Sequence, residues 1–168
     1  MSQKQKRISN PFPPICDQNS QILILGSLPS EASRAAGFYY MNPRNRFWQM
    51  LSVLLKEDFT RLTAEEKTAT LLRHKISLSD VVLSCEIHRS ADASIKGVEC
   101  TDIAAVLKTS HVKHIFLNGG KAYSLFLKHF PQYEAIASCM PSTSPANAKL
   151  SLDDLVKIWG EAILPYLQ

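Results

Sequence analysis

The run Gln21-Ile22-Leu23-Ile24-Leu25-Gly26 sets four branched apolar residues in succession and halts on a glycine. Successive side chains of a strand point to opposite faces, so a strand of this kind must be covered on both. That requirement points to a buried parallel strand in a sheet layered between helices.

The rest of the chain supplies matching parts. Ser77–Leu83, His114–Asn118 and Ala135–Met140 read as further short strands. Between them lie segments with apolar residues at helical spacing. The stretch from Arg46 to Lys56 carries Phe47, Met50, Leu51, Leu54 and Leu55. Thr63-Ala64-Glu65-Glu66 is a capping-box pattern opening a helix through Arg73. Thr101 is placed to cap a helix through Lys108, with Asp102 favourable in its first turn. Lys121–Phe130 reads as the next helix, and Ser151 opens a closing one toward Leu164. Strand and helix alternate, which predicts an α/β fold: a single three-layer domain with a central four-stranded parallel sheet flanked by helices. A length of 168 residues suits one domain. Residues 1–14, basic at the start and then rich in proline, are expected to be a flexible segment, and 15–168 the domain.

Bulk properties exclude several classes. No apolar run reaches the roughly 20 residues needed to span a bilayer, and the N-terminus lacks a secretory stretch, so a cytoplasmic location is expected. Cys16, Cys85, Cys100 and Cys139 form no C-x-x-C pair and have no histidine at zinc-finger spacing, so they read as reduced thiols. No metal site is expected. A net charge of +4 permits nucleic-acid binding without showing it.

In a parallel α/β sheet, ligands bind beyond the carboxyl ends of the strands. Two segments there stand out. The first runs from Gly26-Ser27-Leu28-Pro29-Ser30 to Gly37-Phe38-Tyr39-Tyr40-Met41-Asn42-Pro43-Arg44-Asn45-Arg46-Phe47-Trp48. Its aromatic rings can stack on bases, Arg44 and Arg46 can hold phosphates, and the amides of Asn42 and Asn45 can meet a base edge or a water. The competing reading makes Phe47 and Trp48 core residues of an amphipathic helix and the two asparagines turn formers around Pro43. The second segment, Met140-Pro141-Ser142-Thr143-Ser144-Pro145-Ala146-Asn147-Ala148, offers short hydroxyls suited to phosphate, or an ordinary proline-rich turn. Asn118-Gly119-Gly120-Lys121 lacks P-loop spacing. His88 and Asp92 form a possible acid–base pair, though ordinary surface residues explain them as well.

Taken in order, these two segments resemble motifs of the uracil-DNA glycosylase superfamily. The stretch Tyr39–Trp48 is similar to its mismatch-specific branch and, more closely, to its hypoxanthine-DNA glycosylase branch, whose second motif resembles Pro141–Asn147. Leu78–Glu86, Ser90–Ile95 and Phe116–Ala122 support the likeness, which runs from about Ile22 to Leu164. It implies hydrolysis of the N-glycosidic bond of a deaminated base, deoxyinosine before others, in DNA. It implies a flipped nucleotide, no metal or organic cofactor, and a monomer acting on DNA without a membrane.

Leu28 stands where other branches place a catalytic Asp or Asn, and leucine cannot activate water. By likeness to the hypoxanthine branch the task falls to Asn45, orienting water rather than deprotonating it, with Asn42 the other candidate. The comparison assigns Gly26, Ser27, Leu28, Pro29, Tyr40 and Asn147 to the base-binding pocket, Tyr40 as the ring stacked on the base. It assigns Arg44, Ser142, Thr143 and Ser144 to the DNA strand. No lysine sits in either motif, so strand-cleaving lyase chemistry is not expected. Met140 replaces a polar residue of the second motif, which argues against strict uracil recognition. The alternatives are a uracil or T/U:G mismatch glycosylase, and a catalytically weak lesion-binding module of the same fold.

Overall fold

The structure, a computed structural model, describes residues 6–9, 13–87 and 95–168. Four strands form the central parallel sheet: β2 (Ile22–Gly26), β3 (Ile76–Asp80), β6 (His114–Asn118) and β7 (Ala137–Met140). Their spatial order is β3-β2-β6-β7, with every pair parallel. The chain thus starts at β2, steps to one side, and crosses over to continue on the other. The carboxyl ends of β2 and β6 flank the resulting switch point, where such sheets place their ligands.

Alternation along β2 explains the layers. Ile22 and Ile24 pack with Phe47, Trp48, Leu71 and Trp159, from helices α2 (Phe47–Leu55), α3 (Ala64–Arg73) and α6 (Leu152–Ile163). Leu23 and Leu25 face the other way, onto Ile103 and Val106 of α4 (Ile103–Thr109) and Ala122 and Phe126 of α5 (Gly120–His129). The four apolar residues of β2, Ile22 to Leu25, are at most 1% exposed, the burial expected of a strand apolar on both faces. The capping box expected at Thr63 forms with Glu66, and Ser151 forms a second one with Asp154.

Three elements differ from the sequence reading. The single strand expected over Ser77–Leu83 is two: the chain leaves β3 at Asp80, turns at Val81 and enters β4 (Val82–Ile87). There β4 forms a second, antiparallel sheet in the order β1-β4-β5, with β1 (Lys6–Ser9) and β5 (Ile95–Cys100). Within the N-terminal segment, the backbone of β1 pairs antiparallel with β4. The cap of α4 is Asp102, whose carboxylate accepts from Ala105 N at 3.0 Å. Thr101 instead donates to the Asp80 carbonyl at 2.5 Å, which ties the end of β5 to the end of β3. A short helix, α1 (Glu31–Ala36), interrupts the first loop; Ser30 caps it, and its few apolar residues left no periodic signal. Among the described residues no helix is long and apolar enough to cross a membrane. Cys16, Cys100 and Cys139 are free thiols. His88 and Asp92 lie outside the described residues.

Candidate active site

The carboxyl ends of all four parallel strands open into one cavity of about 190 Å³. At about 15 Å³ per enclosed water it has room for about a dozen waters, enough for a single nucleobase. Gly26, Ser27, Leu28 and Pro29 line it together with Ser142, Thr143 and Ser144, so the two segments singled out in the sequence meet at one cavity. Tyr40 and Asn45 come from the first segment, and Asp80 and Asn118 from the strand ends.

Asn45 is held with little freedom. Its side-chain oxygen accepts from Phe47 N at 3.0 Å and from the Thr143 hydroxyl at 2.8 Å. A backbone N–H can only donate, so the first bond identifies which end of the amide is oxygen. The Thr143 hydroxyl in turn receives the Asn118 side-chain amide at 3.0 Å, while the Asn118 oxygen accepts from Thr143 N at 3.0 Å. A hydroxyl has one proton; since Asn118 donates to Thr143, that proton goes to Asn45. The relay Asn118→Thr143→Asn45 fixes the amide and leaves Asn45 Nδ2 as its uncommitted donor.

Arg46 ties the two segments together. Its guanidinium donates to the carbonyls of Ser144 at 3.0 Å, Asn147 at 2.8 Å and Leu150. Its backbone N–H donates to the Thr143 carbonyl at 3.1 Å. Three of its N–H donors are thus spent inside the protein, where the sequence reading offered them to phosphate: the guanidinium latches the second loop to the first. Arg46→Lys keeps the charge but cannot span three carbonyls. The expected outcome is about 1–3 kcal/mol lower stability in a urea melt, since a charge-assisted hydrogen-bond fork is lost.

Other assignments shift as well. Asn42 does not line the cavity; its oxygen accepts from Arg44 N at 2.9 Å, closing the turn around Pro43. Asn147 does not line it either, because its amide donates to the Ser142 carbonyl at 3.0 Å and shapes its own loop. Thr143 is fully buried and its hydroxyl is spent inside the protein, so it cannot serve as a DNA contact. Arg44 is exposed. Ser142 and Ser144 accept from Ser144 N and Ala146 N, at 3.1 and 3.2 Å, and keep their protons to donate. Phe47 and Trp48 are core residues, 0% and 6% exposed. Met140, 5% exposed, also belongs to the core.

Tyr40 adopts a left-handed backbone, φ 54°, uncommon and strained for a bulky residue. In that conformation its ring lies against Phe47 at 4.1 Å between centroids. Its hydroxyl is buried without a hydrogen-bond partner, with the Asn118 side chain as a polar neighbour. Burial first, then the nearby Asp80 charge, raises the phenol well above its ordinary range. Asp80 itself is 3% exposed, and burial pushes its carboxyl up to about 7.

Asp80 and Asn118 were not singled out as site residues from sequence. Their signal is nevertheless present: each is the last residue of a parallel strand, where a polar side chain meets the ligand edge.

A family model described as "Uracil DNA glycosylase superfamily" matches residues 13–162. The chain belongs to the uracil DNA glycosylase superfamily. Among its relatives in that superfamily are two archaeal proteins named "Hypoxanthine DNA glycosylase". The one from Methanosarcina barkeri is 33% identical over 160 residues, covering 90% of this chain and 95% of the relative. The one from Methanosarcina acetivorans is 35% identical over 147 residues, covering 86% and 91%. The fold is also similar to a solution NMR structure from M. acetivorans, described as a candidate uracil DNA glycosylase. That similarity has a TM-score of 0.73 and 30% identity, with 89% of this chain and 95% of that one covered.

Proposed function

We propose that this protein is a monofunctional DNA glycosylase that releases hypoxanthine from deoxyinosine in DNA. The observation that carries the reading is the fixed amide of Asn45 at a base-sized cavity between the two superfamily loops. The names of the two archaeal relatives support the choice of base. The deaminated nucleotide, being poorly paired, swings from the stack at reduced cost and enters the cavity.

Hydrolysis breaks the bond between C1′ and the purine nitrogen, with the electron pair going to the base. The oxygen of a water bonds to C1′; the proton it sheds passes to solvent, and the departing base is protonated from solvent. Asn45 cannot take the water's proton, because its oxygen already accepts two hydrogen bonds and an amide is a poor base. Its role is to hold the water through Nδ2. Most of the rate then comes from fixed dipoles that stabilise the charge separating between sugar and base. Ser142 and Ser144 donate to phosphates of the flipped strand, and Arg44 meets the backbone at the rim.

The test is a panel of labelled oligonucleotides bearing hypoxanthine, uracil, xanthine or a T:G mismatch, treated with alkali after incubation. Alkali-labile product is expected from hypoxanthine foremost. Product from uracil alone would replace the base assignment, and product from none would overturn the enzymatic reading.

A further inference from the structure

A second cavity, of about 250 Å³, adjoins the base cavity; Tyr40 and Asn45 line both and form the partition between them. Asn42 of the first loop, Trp48 and Gln49 of α2, Thr60, and Lys67 of α3 also line it. Lys67 is the unusual member. The residue is 6% exposed, and its ammonium donates to the Leu62 carbonyl at 3.1 Å and lies 5.5 Å from the centre of the Trp48 ring. Among the described residues it has no ion pair. Lysine is almost never buried to this degree without a paired anion. Burial accordingly holds its pKa below the ordinary lysine range.

The polar groups around this cation say what it lacks. An ammonium has three N–H donors, and one is spent on Leu62. The Asn42 oxygen is committed to Arg44 N, so the end of that amide left open is its donor. The exposed Gln49 amide supplies two more N–H donors. The Thr60 hydroxyl gives its proton to Asp58 at 2.6 Å, and the Asp58 charge is answered by Arg61 at 3.2 Å. The cavity thus offers open donors around an uncompensated positive charge. Water would satisfy the N–H groups and leave the charge, whereas an oxyanion satisfies both.

We propose that this second cavity holds a phosphodiester of the damaged strand beside the flipped nucleotide, with the Lys67 ammonium as its counter-charge. The inference deepens the glycosylase reading and rests on it, because it takes the neighbouring cavity as the place of the base. The unesterified oxygens of a phosphodiester accept hydrogen bonds and carry one negative charge, the complement of this donor set. With the base on one side of Tyr40 and Asn45 and the phosphate on the other, the sugar that joins them lies at the edge of the partition. That is where Asn45 holds the attacking water. Lys67 is then a positioning residue for the strand and touches neither the base nor C1′.

The experiment measures binding of a duplex carrying a non-hydrolysable 2′-fluoro deoxyinosine across a range of salt concentrations, with the wild-type protein and Lys67→Met. Methionine keeps the apolar stem and removes the charge. Loss of one phosphate contact should make the slope of log K against log salt shallower by about 0.9, and weaken binding roughly tenfold at low salt. A lysine that only tied α3 to Leu62 and Trp48 would leave that slope unchanged, and an unchanged slope overturns the assignment. Gln49→Glu covers the case in which Lys67→Met does not fold. It is exposed on α2 and sets a negative charge at the same cavity, so duplex binding should weaken several-fold. Wild-type affinity in Gln49→Glu would overturn the assignment as well. Calorimetric titration with inorganic phosphate separates the two sources of the anion: phosphate binding lost in Lys67→Met while the duplex slope stays the same would give the cavity to a free ion and overturn the contact to DNA. Base release is read separately on the cleavable duplex. Its absence from the wild type would remove the glycosylase reading, whereas an unchanged salt slope removes this contact alone.

Discussion

Replacing Asn45 with alanine is expected to lower the rate of hypoxanthine release by about 10²–10³-fold, the scale seen when one preorganised hydrogen-bond donor is removed from an enzyme site. The size follows from how firmly the amide is held. Two donors, Phe47 N and the Thr143 hydroxyl, lock its oxygen, so Nδ2 stands ready to hold the attacking water without reorganising. A side chain free to rotate would contribute less, because the order would have to be created during the reaction. Affinity should respond differently. Binding of a duplex carrying a non-hydrolysable 2′-fluoro deoxyinosine is expected to stay within about threefold, since phosphate contacts supply most of the affinity. Single-turnover kinetics and a binding titration on the same duplex separate the two. A parallel loss of binding and rate would make Asn45 a contact to the ground state and not to the reacting complex.

Gly26→Ala is expected to have a comparable effect by a different route. The added methyl would sit 2.5 Å from Asp80 Oδ1 and 2.9 Å from the Tyr40 hydroxyl, closer than atoms pack. Neither neighbour yields easily. Asp80 is anchored through its carbonyl by Thr101, and Tyr40 lies against Phe47 in a strained backbone conformation. Overpacking of this kind typically costs about 1–3 kcal/mol in stability, visible as a lower melting temperature. The larger effect should be on catalysis, because the methyl occupies the floor a base must reach. A displacement of about 1 Å in a reacting geometry can cost about 10²-fold. Retention of wild-type release by a folded Gly26→Ala protein would show that the base does not descend to this level of the cavity.

The fold was legible in the sequence where burial is symmetrical. The run Ile22–Leu25 announces a strand covered on both faces, and the helices on each side follow from their own periodic apolar residues. The second sheet was not legible, because β1 and β5 are short and mixed in character, and no turn residue separates β3 from β4 at Asp80-Val81-Val82. Composition also located both loops of the site, yet it misjudged what single side chains do there. Arg46 and Asn147 carry chemistry typical of nucleic-acid contacts, but their partners are carbonyls of the second loop. Those partners lie about a hundred residues away for Arg46, a distance no local pattern conveys. Asp80 and Asn118 went unnoticed for the opposite reason. Each closes an otherwise ordinary strand, and only the convergence of four strand ends on one cavity shows why a polar residue belongs there.

The most direct test follows the fate of both products of one reaction. A deoxyinosine duplex is incubated with excess protein, free base is quantified by mass spectrometry, and strand integrity is read on a denaturing gel before and after alkali. One free hypoxanthine should appear for each abasic site, with the strand intact until alkali is added. Strand scission without alkali, or abasic sites absent while the duplex remains tightly bound, would contradict the account.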